Sequence, residues 1–253
     1  MDSKLAQLRP TERFSQRVDN YSKYRPSYPA AIIDFLEENI GLETTWAIAD
    51  IGSGTGIFSA VLLQQGYRVT GVEPNKAMRE EAEKHLDRYT KFISINGKAE
   101  ATTLPDQSIQ MITVAQAFHW MDPLLTKQEF HRILEPGGHI VLLWNIRLTH
   151  TAFLEAFEAI KIQFGTDYKA TRMVDDKAVA DFFAPLPVTQ KSFYHSQVLD
   201  YEGLKGQLLS TSYMPLEGEQ YEQMILALED LFNQYHENGF VKIEFETKVY
   251  VNA

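Results

Sequence analysis

The sequence predicts an α/β fold, a mostly parallel sheet covered by helices on both faces, and three observations predict it. A glycine-rich turn, Ala49-Asp-Ile-Gly-Ser-Gly-Thr-Gly56, joins an apolar run to a helical stretch, and Gly71-Val-Glu-Pro-Asn75 follows it. Strand-like and helical segments then alternate as far as Asn145, the pattern of successive βαβ units. The closing segment from Val241 to Val251 instead alternates apolar residues with Lys242, Glu244, Glu246 and Lys248, as a half-buried antiparallel strand does.

Along the chain, the polar, Arg- and Tyr-rich N-terminal part ends in Tyr21-Ser-Lys-Tyr-Arg-Pro-Ser-Tyr-Pro29. Ile32, Ile33, Leu36 and Ile40 then mark one face of a helix that Gly41 stops. Trp46 to Ile51 reads as a buried first strand, Ile57 to Gln65 as the helix launched from the turn, and Tyr67 to Val72 as the second strand. Asn75 caps a helix running to about Tyr89, and Lys91 to Asn96 is the third strand. Ile109 to Ala115 is the fourth, Leu124 to Leu134 a helix, and Glu135-Pro-Gly-Gly138 a turn feeding a fifth strand, His139 to Asn145. A helix with Phe153, Phe157, Ile160 and Phe164 on one face leads into a less regular stretch through Pro187. Strand-like Val188 to Leu199 and a helix over 217–236 complete the pattern.

One domain is expected over 1–253: a helical cap over 1–41, a cofactor-binding core over 42–146, and a substrate-covering insertion with C-terminal strands over 147–253. The hydrophobic fraction of 44% supplies a sizeable core. A net charge of -10 without a Lys/Arg run argues against a nucleic-acid partner. The charged N-terminus lacks the apolar core of a signal peptide and no long apolar run follows, so a cytoplasmic location without membrane insertion is expected. The absence of cysteine removes thiolate nucleophiles and cysteine-ligated metal centres. No histidine pair has metal-site spacing such as H-E-x-x-H, and no catalytic metal is expected.

The turn points to a nucleoside-bearing cofactor in a Rossmann-like βαβ unit. Gly52, Gly54 and Gly56, with Ser53 between them, let the backbone approach a ligand, and Glu73 ends the second strand where an acid meets ribose hydroxyls. The third glycine comes one residue earlier than the dinucleotide fingerprint requires, and Ile57 follows it. Asp50 would repel a pyrophosphate yet suit the cationic end of S-adenosylmethionine, so electrostatics favours the sulfonium cofactor.

From Tyr21 to Asn145 the chain resembles class I S-adenosylmethionine-dependent methyltransferases. The resemblance rests on the glycine turn, Gly71 to Asn75, Gly97-Lys-Ala-Glu100 and Leu134-Glu-Pro-Gly-Gly138. Ala115-Gln-Ala-Phe-His-Trp120 and Asn20 to Pro29 are similar to the small-molecule, trans-aconitate methyltransferase-like branch. The resemblance implies a seven-stranded sheet with its last strand antiparallel, S-adenosylmethionine as cofactor and S-adenosylhomocysteine as product. It implies cofactor contacts from Asp50, Gly52, Ser53, Gly54, Gly56, Glu73, Pro74, Ala99, Glu100, Gln116 and Ala117, and from Tyr21 and Arg25 of the N-terminal segment, while Tyr24, Phe118, Trp120, Trp144, Asn145 and Tyr213 are candidates for the acceptor side.

His119 has two readings, a base for a substrate hydroxyl or amine, or a residue that only closes the pocket. Phe118 and Trp120 suit either core or substrate wall, and the guanidinium fork of Arg25 matches a carboxylate. The expected activity is methyl transfer to an oxygen or nitrogen of a small molecule. An RNA- or protein-modifying methyltransferase and a non-catalytic cofactor-binding protein are the alternatives.

Overall fold

The computed structural model describes residues 17–166 and 176–252. Residues 1–16 of the expected cap and residues 167–175 of the stretch after the fifth strand lie outside them. The strands are β1 (Ala47–Ile51), β2 (Arg68–Val72), β3 (Phe92–Ile95), β4 (Ile109–Ala115), β5 (Leu134–Arg147), β6 (Val188–Leu199) and β7 (Val241–Asn252). They form one seven-stranded sheet in the order β3-β2-β1-β4-β5-β7-β6. Pairings from β3 through β5 are parallel, and β7 runs antiparallel to both β5 and β6, as expected.

Helix α1 (Val18–Tyr24) precedes α2 (Ala31–Ile40), whose Ile32, Ile33 and Leu36 are buried and whose C-terminus is closed by Gly41 in the left-handed conformation. α3 (Ile57–Gln64) follows the glycine turn, and α4 (Lys76–His85) is capped by Asn75, whose side chain accepts from the Met78 amide at 3.1 Å. α5 (Pro123–Ile133) starts at Asp122, which accepts from the amides of Leu124 and Leu125 at 3.0 Å. One core joins α2 and α3 to the sheet through Leu36, Phe58, Leu62, Ile48 and Val249. On the opposite face α5 and α7 (Asp176–Phe183) pack Phe130, Ile133, Val179 and Phe182 against Ile51, Ile112 and Leu142.

A third core belongs to helices α6 (Ala152–Phe164), α8 (Tyr201–Leu209) and α9 (Gly218–Tyr235), which close on the first half of β7 through Phe157, Leu204, Leu228, Ile243 and Phe245. Arg17 ties the start of α1 to this lobe, donating to the carbonyls of Leu209 at 2.8 Å, Thr211 at 2.7 Å and Met214. No helix among the described residues is long and apolar enough to cross a membrane.

Four local expectations are corrected. The turn Glu135–Gly138 bulges out within β5: Ile109 pairs with Leu134 but Met111 already with His139, so the strand begins before the turn. α4 ends at His85 rather than near Tyr89, because Leu86 is drawn into the core against the glycine turn. α7 lies in the stretch read as irregular. α8 has no counterpart in the sequence reading, since Gly203 and Gly206 disfavour a helix. Gly206 is there for packing: a Cβ would overlap the ring of Tyr24.

Candidate active site

The sheet order reverses between β1 and β4, and in open α/β sheets ligands bind beyond the carboxyl ends of the strands at that point. The glycine turn leaves β1 there and the segment from Gln116 to Trp120 leaves β4. Gly52 adopts φ +69°, and a Cβ on it would lie 2.6 Å from the Cβ of Ala117, so the two strand ends meet backbone to side chain. Gly54 differs. At φ +56°, its Cβ would meet only the Met78 methyl, at 3.4 Å, which leaves an open approach over the turn.

Two buried carboxylates hold the turn. Asp50 accepts from Ser59 Oγ at 2.6 Å and Thr113 Oγ1 at 2.9 Å, and burial raises its pKa to about 6. Its oxygens thus meet the protein's own hydroxyls, beneath the turn and outside the cavity described below. Glu73 accepts from the Gly54 amide at 3.0 Å and the Asn75 amide at 2.8 Å, and its pKa is raised by burial. Each of its oxygens keeps a second lone pair, and the carboxylate adjoins the open side of Gly54. Pro74 continues this edge, its carbonyl accepting from Arg79 at 3.0 Å, and Ser53 sits under Gly71. Ala99 is buried in the second core, and Glu100 accepts from the Asp122 amide at 2.9 Å, fastening the loop after β3 to α5.

Beside the turn lies a cavity of about 180 Å³ between the sheet rim, α1 and the helical lobe. Tyr21, Arg25, Gln116, His119, Trp120, Trp144, Asn145 and Tyr213 all line it, so residues named from distant parts of the sequence converge. Gln116 has φ +59° and donates from Nε2 to the Asn145 carbonyl at 2.9 Å, a strained non-glycine backbone at the end of β4. Asn145 is fully engaged: it donates to the Ser27 carbonyl at 3.2 Å, accepts from Thr247 Oγ1 at 2.5 Å, and faces His195 Nε2 at 3.2 Å. Arg25 donates to the Ser210 carbonyl at 3.3 Å and lies 4.9 Å over the Tyr21 ring.

Other expectations shift. Phe118 is buried in the second core, 4.7 Å from Phe182 ring to ring, and does not line the cavity. Tyr24 also stays outside, packed on Gly206 while its carbonyl accepts from Gln197 at 3.0 Å. His119 lines the cavity, but burial brings its pKa down to about 4. The ordinary pKa assumed from sequence is thus corrected: near neutrality the ring is uncharged and a weak base.

The sequence reading missed Arg147 at the end of β5 and Glu158 and Lys161 on α6, all of which line the cavity. A signal was present, since Lys161 follows Phe157 by four residues and so lies on the apolar face of α6.

Residues 49–142 match the family described as the methyltransferase domain. An uncharacterized methyltransferase of Mycobacterium bovis is 35% identical over 134 residues, covering 53% of this chain and 52% of that protein. A probable S-adenosylmethionine-dependent methyltransferase of Saccharomyces cerevisiae is 27% identical over 165 residues, 62% of this chain and 56% of the yeast protein. The chain thus spans about half the length of the curated relatives it matches. Among solved structures, that of a putative type II methyltransferase from Anaeromyxobacter dehalogenans superposes with a TM-score of 0.65 at 17% identity, over 90% of this chain and 97% of the other. This last likeness is one of fold.

Proposed function

We propose that this chain, whose residues 49–142 match the methyltransferase domain family, transfers a methyl group from S-adenosylmethionine to an oxygen or nitrogen of a small molecule held in the cavity. The observation that carries the reading is the junction of Gly54 and Glu73, an open backbone approach beside a buried carboxylate, with a cavity that begins at Ile57, directly after the turn. These residues fit the group. Glu73 has acceptor capacity for ribose hydroxyls, Gly54 leaves room for the nucleoside, and Gln116, Tyr21 and Arg25 stand where the methionine end would enter the cavity.

When bound, S-adenosylmethionine supplies a methyl group already activated on a sulfonium. The work of the chain is therefore alignment and exclusion of water, which can lower the barrier by roughly 7–11 kcal/mol. α1, fixed to the lobe by Arg17, roofs the cavity, and Trp120, Trp144 and Phe245 supply apolar wall. His119 is neutral near pH 7 and holds a proton weakly, which suits orienting an acceptor better than deprotonating one. A cavity of about 180 Å³ favours a small acceptor over RNA or protein, and its presence beside the turn favours turnover over cofactor binding alone.

Calorimetric titration of ligand-free protein with S-adenosylmethionine tests this. Saturable binding by the parent and by His119→Ala, and its loss in Gly54→Val, is the expected pattern. A folded parent protein that does not bind overturns the reading.

A further inference from the structure

We infer that Lys161 of α6 is the base for the transfer, taking the proton from a hydroxyl or amine that the acceptor presents in the cavity. This rests on the methyltransferase reading and assigns that site its substrate class, an alcohol, phenol or amine.

Position makes the first part of the argument. Lys161 lies on the apolar face of α6, 1% exposed, and its side chain lines the cavity. Among the described residues, its amine has no hydrogen-bond or ion-pair partner, and its neighbour is the ring of Phe157, whose centroid is 4.7 Å from Nζ. A base needs a lone pair that the protein has not already engaged.

Charge makes the second part. Arg147 at the end of β5 and Arg25 just after α1 are permanent cations at the same cavity, and the Arg147 guanidinium lies 5.5 Å from the Phe157 centroid that Lys161 shares. Desolvation and like charge both favour an amine over an ammonium. Burial first, then Arg147 and Arg25, push the Lys161 pKa well below the usual lysine value. Glu158, three residues earlier on α6, acts in the opposite direction. Its Oε2 pairs with Arg147 at 2.6 Å and its Oε1 is a buried acceptor in the same cavity, so negative charge is at hand for the ammonium that forms when Lys161 takes a proton.

The other titratable groups at the cavity do not compete for this role. His119 is brought down to about 4, and burial favours the phenol forms of Tyr28 and Tyr213, which leaves Tyr21 as a further phenol. Arg25 and Arg147 keep their protons.

In the step, the acceptor's O–H or N–H proton passes to the lone pair of Lys161 Nζ. The electron pair it leaves on oxygen or nitrogen forms the bond to the methyl carbon, and the pair of the broken carbon–sulfur bond stays on sulfur. A sulfonium and an amine become a thioether and an ammonium, so the total charge is unchanged and nothing is oxidised or reduced. Lys161 returns its proton to water once the products leave. A carboxylate acceptor is already deprotonated and needs no base.

NMR titration of protein saturated with S-adenosylhomocysteine and labelled with carbon-13 at the lysine ε-carbons tests the state of Lys161. Its signal is assigned by its absence from Lys161→Met, or from Lys161→Arg should the first variant not fold. The midpoint is expected well below those of the exposed lysines, and a midpoint among them overturns the inference. Methyl transfer from S-adenosylmethionine is then measured with phenol, benzylamine and benzoate, the methylated probe being the readout. Phenol or benzylamine is expected to turn over, at a rate that falls as pH drops through the NMR midpoint of Lys161. Lys161→Met is expected to lose about 100-fold or more in kcat, restored in part by added methylamine. Turnover of benzoate alone, turnover of none of the three, or a rate indifferent to the Lys161 midpoint overturns the inference. A folded protein with no saturable S-adenosylhomocysteine titration overturns the methyltransferase reading instead.

Discussion

The buried charges on the two sides of the β1/β4 switch point differ in how they are compensated. On the glycine-turn side, Asp50 and Glu73 each receive two hydrogen bonds from the protein itself, from Ser59 and Thr113 and from the amides of Gly54 and Asn75. On the lobe side, among the described residues, Arg25, Arg147 and Lys161 line the cavity with the carboxylate of Glu158, which pairs with Arg147 at 2.6 Å, and the Arg25 and Arg147 Nε–H groups are buried without an acceptor. On the first side the protein's own donors fix both carboxylates in place, and Glu73 keeps one lone pair on each oxygen. The second places Arg147, Glu158 and Lys161 together at the cavity wall, where burial pushes Lys161 well below the usual lysine pKa.

The largest effect is expected where the scaffold is tightest. Gly52→Val sets a branched side chain at a left-handed position against Ala117, and it should destabilise the fold by about 4 kcal/mol, the combined scale of backbone strain and overpacking. Urea denaturation followed by circular dichroism measures it. A loss under about 1 kcal/mol would mean that the turn yields, and that the contrast with the lobe side is one of degree.

A smaller effect separates Asp50 from His119 by pH. The folded pKa of Asp50 is raised to about 6, so the folded state holds its proton longer than the unfolded chain, and stability is lost as pH rises from about 4 to 6. His119, lowered to about 4, works oppositely: the unfolded chain takes up a proton first as pH falls, so its contribution grows as pH rises from 4 to about 6.5. The two largely offset each other in the parent protein. Asp50→Asn removes the first, so relative to the parent it should gain about 3 kcal/mol between pH 4 and pH 7. Denaturation midpoints at those two pH values decide, and an unchanged difference would show that Asp50 is not desolvated in the way its burial requires.

The smallest expected effect sharpens the lobe side. Lys161→Met removes a desolvated amine group and leaves the Arg147–Glu158 pair intact, so the ligand-free protein should gain on the order of 1 kcal/mol at pH 7. Because the folded pKa of Lys161 is depressed, the parent protein gains stability as pH rises toward the unfolded lysine value, and the advantage of the variant should shrink with it. A variant less stable than the parent would show that Lys161 is already compensated, and would break the comparison.

Much of this molecule was legible along the sequence, wherever the signal lies within a few consecutive residues. β4 and β6 begin and end at the residues their patterns predict, Gly41 and Asn75 bound their helices, and β7 shows its alternation. α8 was not legible, because its glycines answer to the Tyr24 ring contributed by α1. Nor was the fate of Phe118, which a neighbouring helix, α7, draws into the core.

The sequence by itself determined the α/β sheet, the glycine turn and the acid at the end of β2, Glu73, since strand period, turn conformation and helix caps are properties of short continuous segments. Tertiary structure alone decided that His119 is uncharged near neutrality and that Asp50 faces the protein's own hydroxyls. It also decided that Arg25, Arg147, Glu158 and Lys161 line one cavity. Desolvation and Coulomb interaction depend on what lies within a few ångströms in space, and those neighbours come from α1, β5 and α6, which only the folded chain brings together.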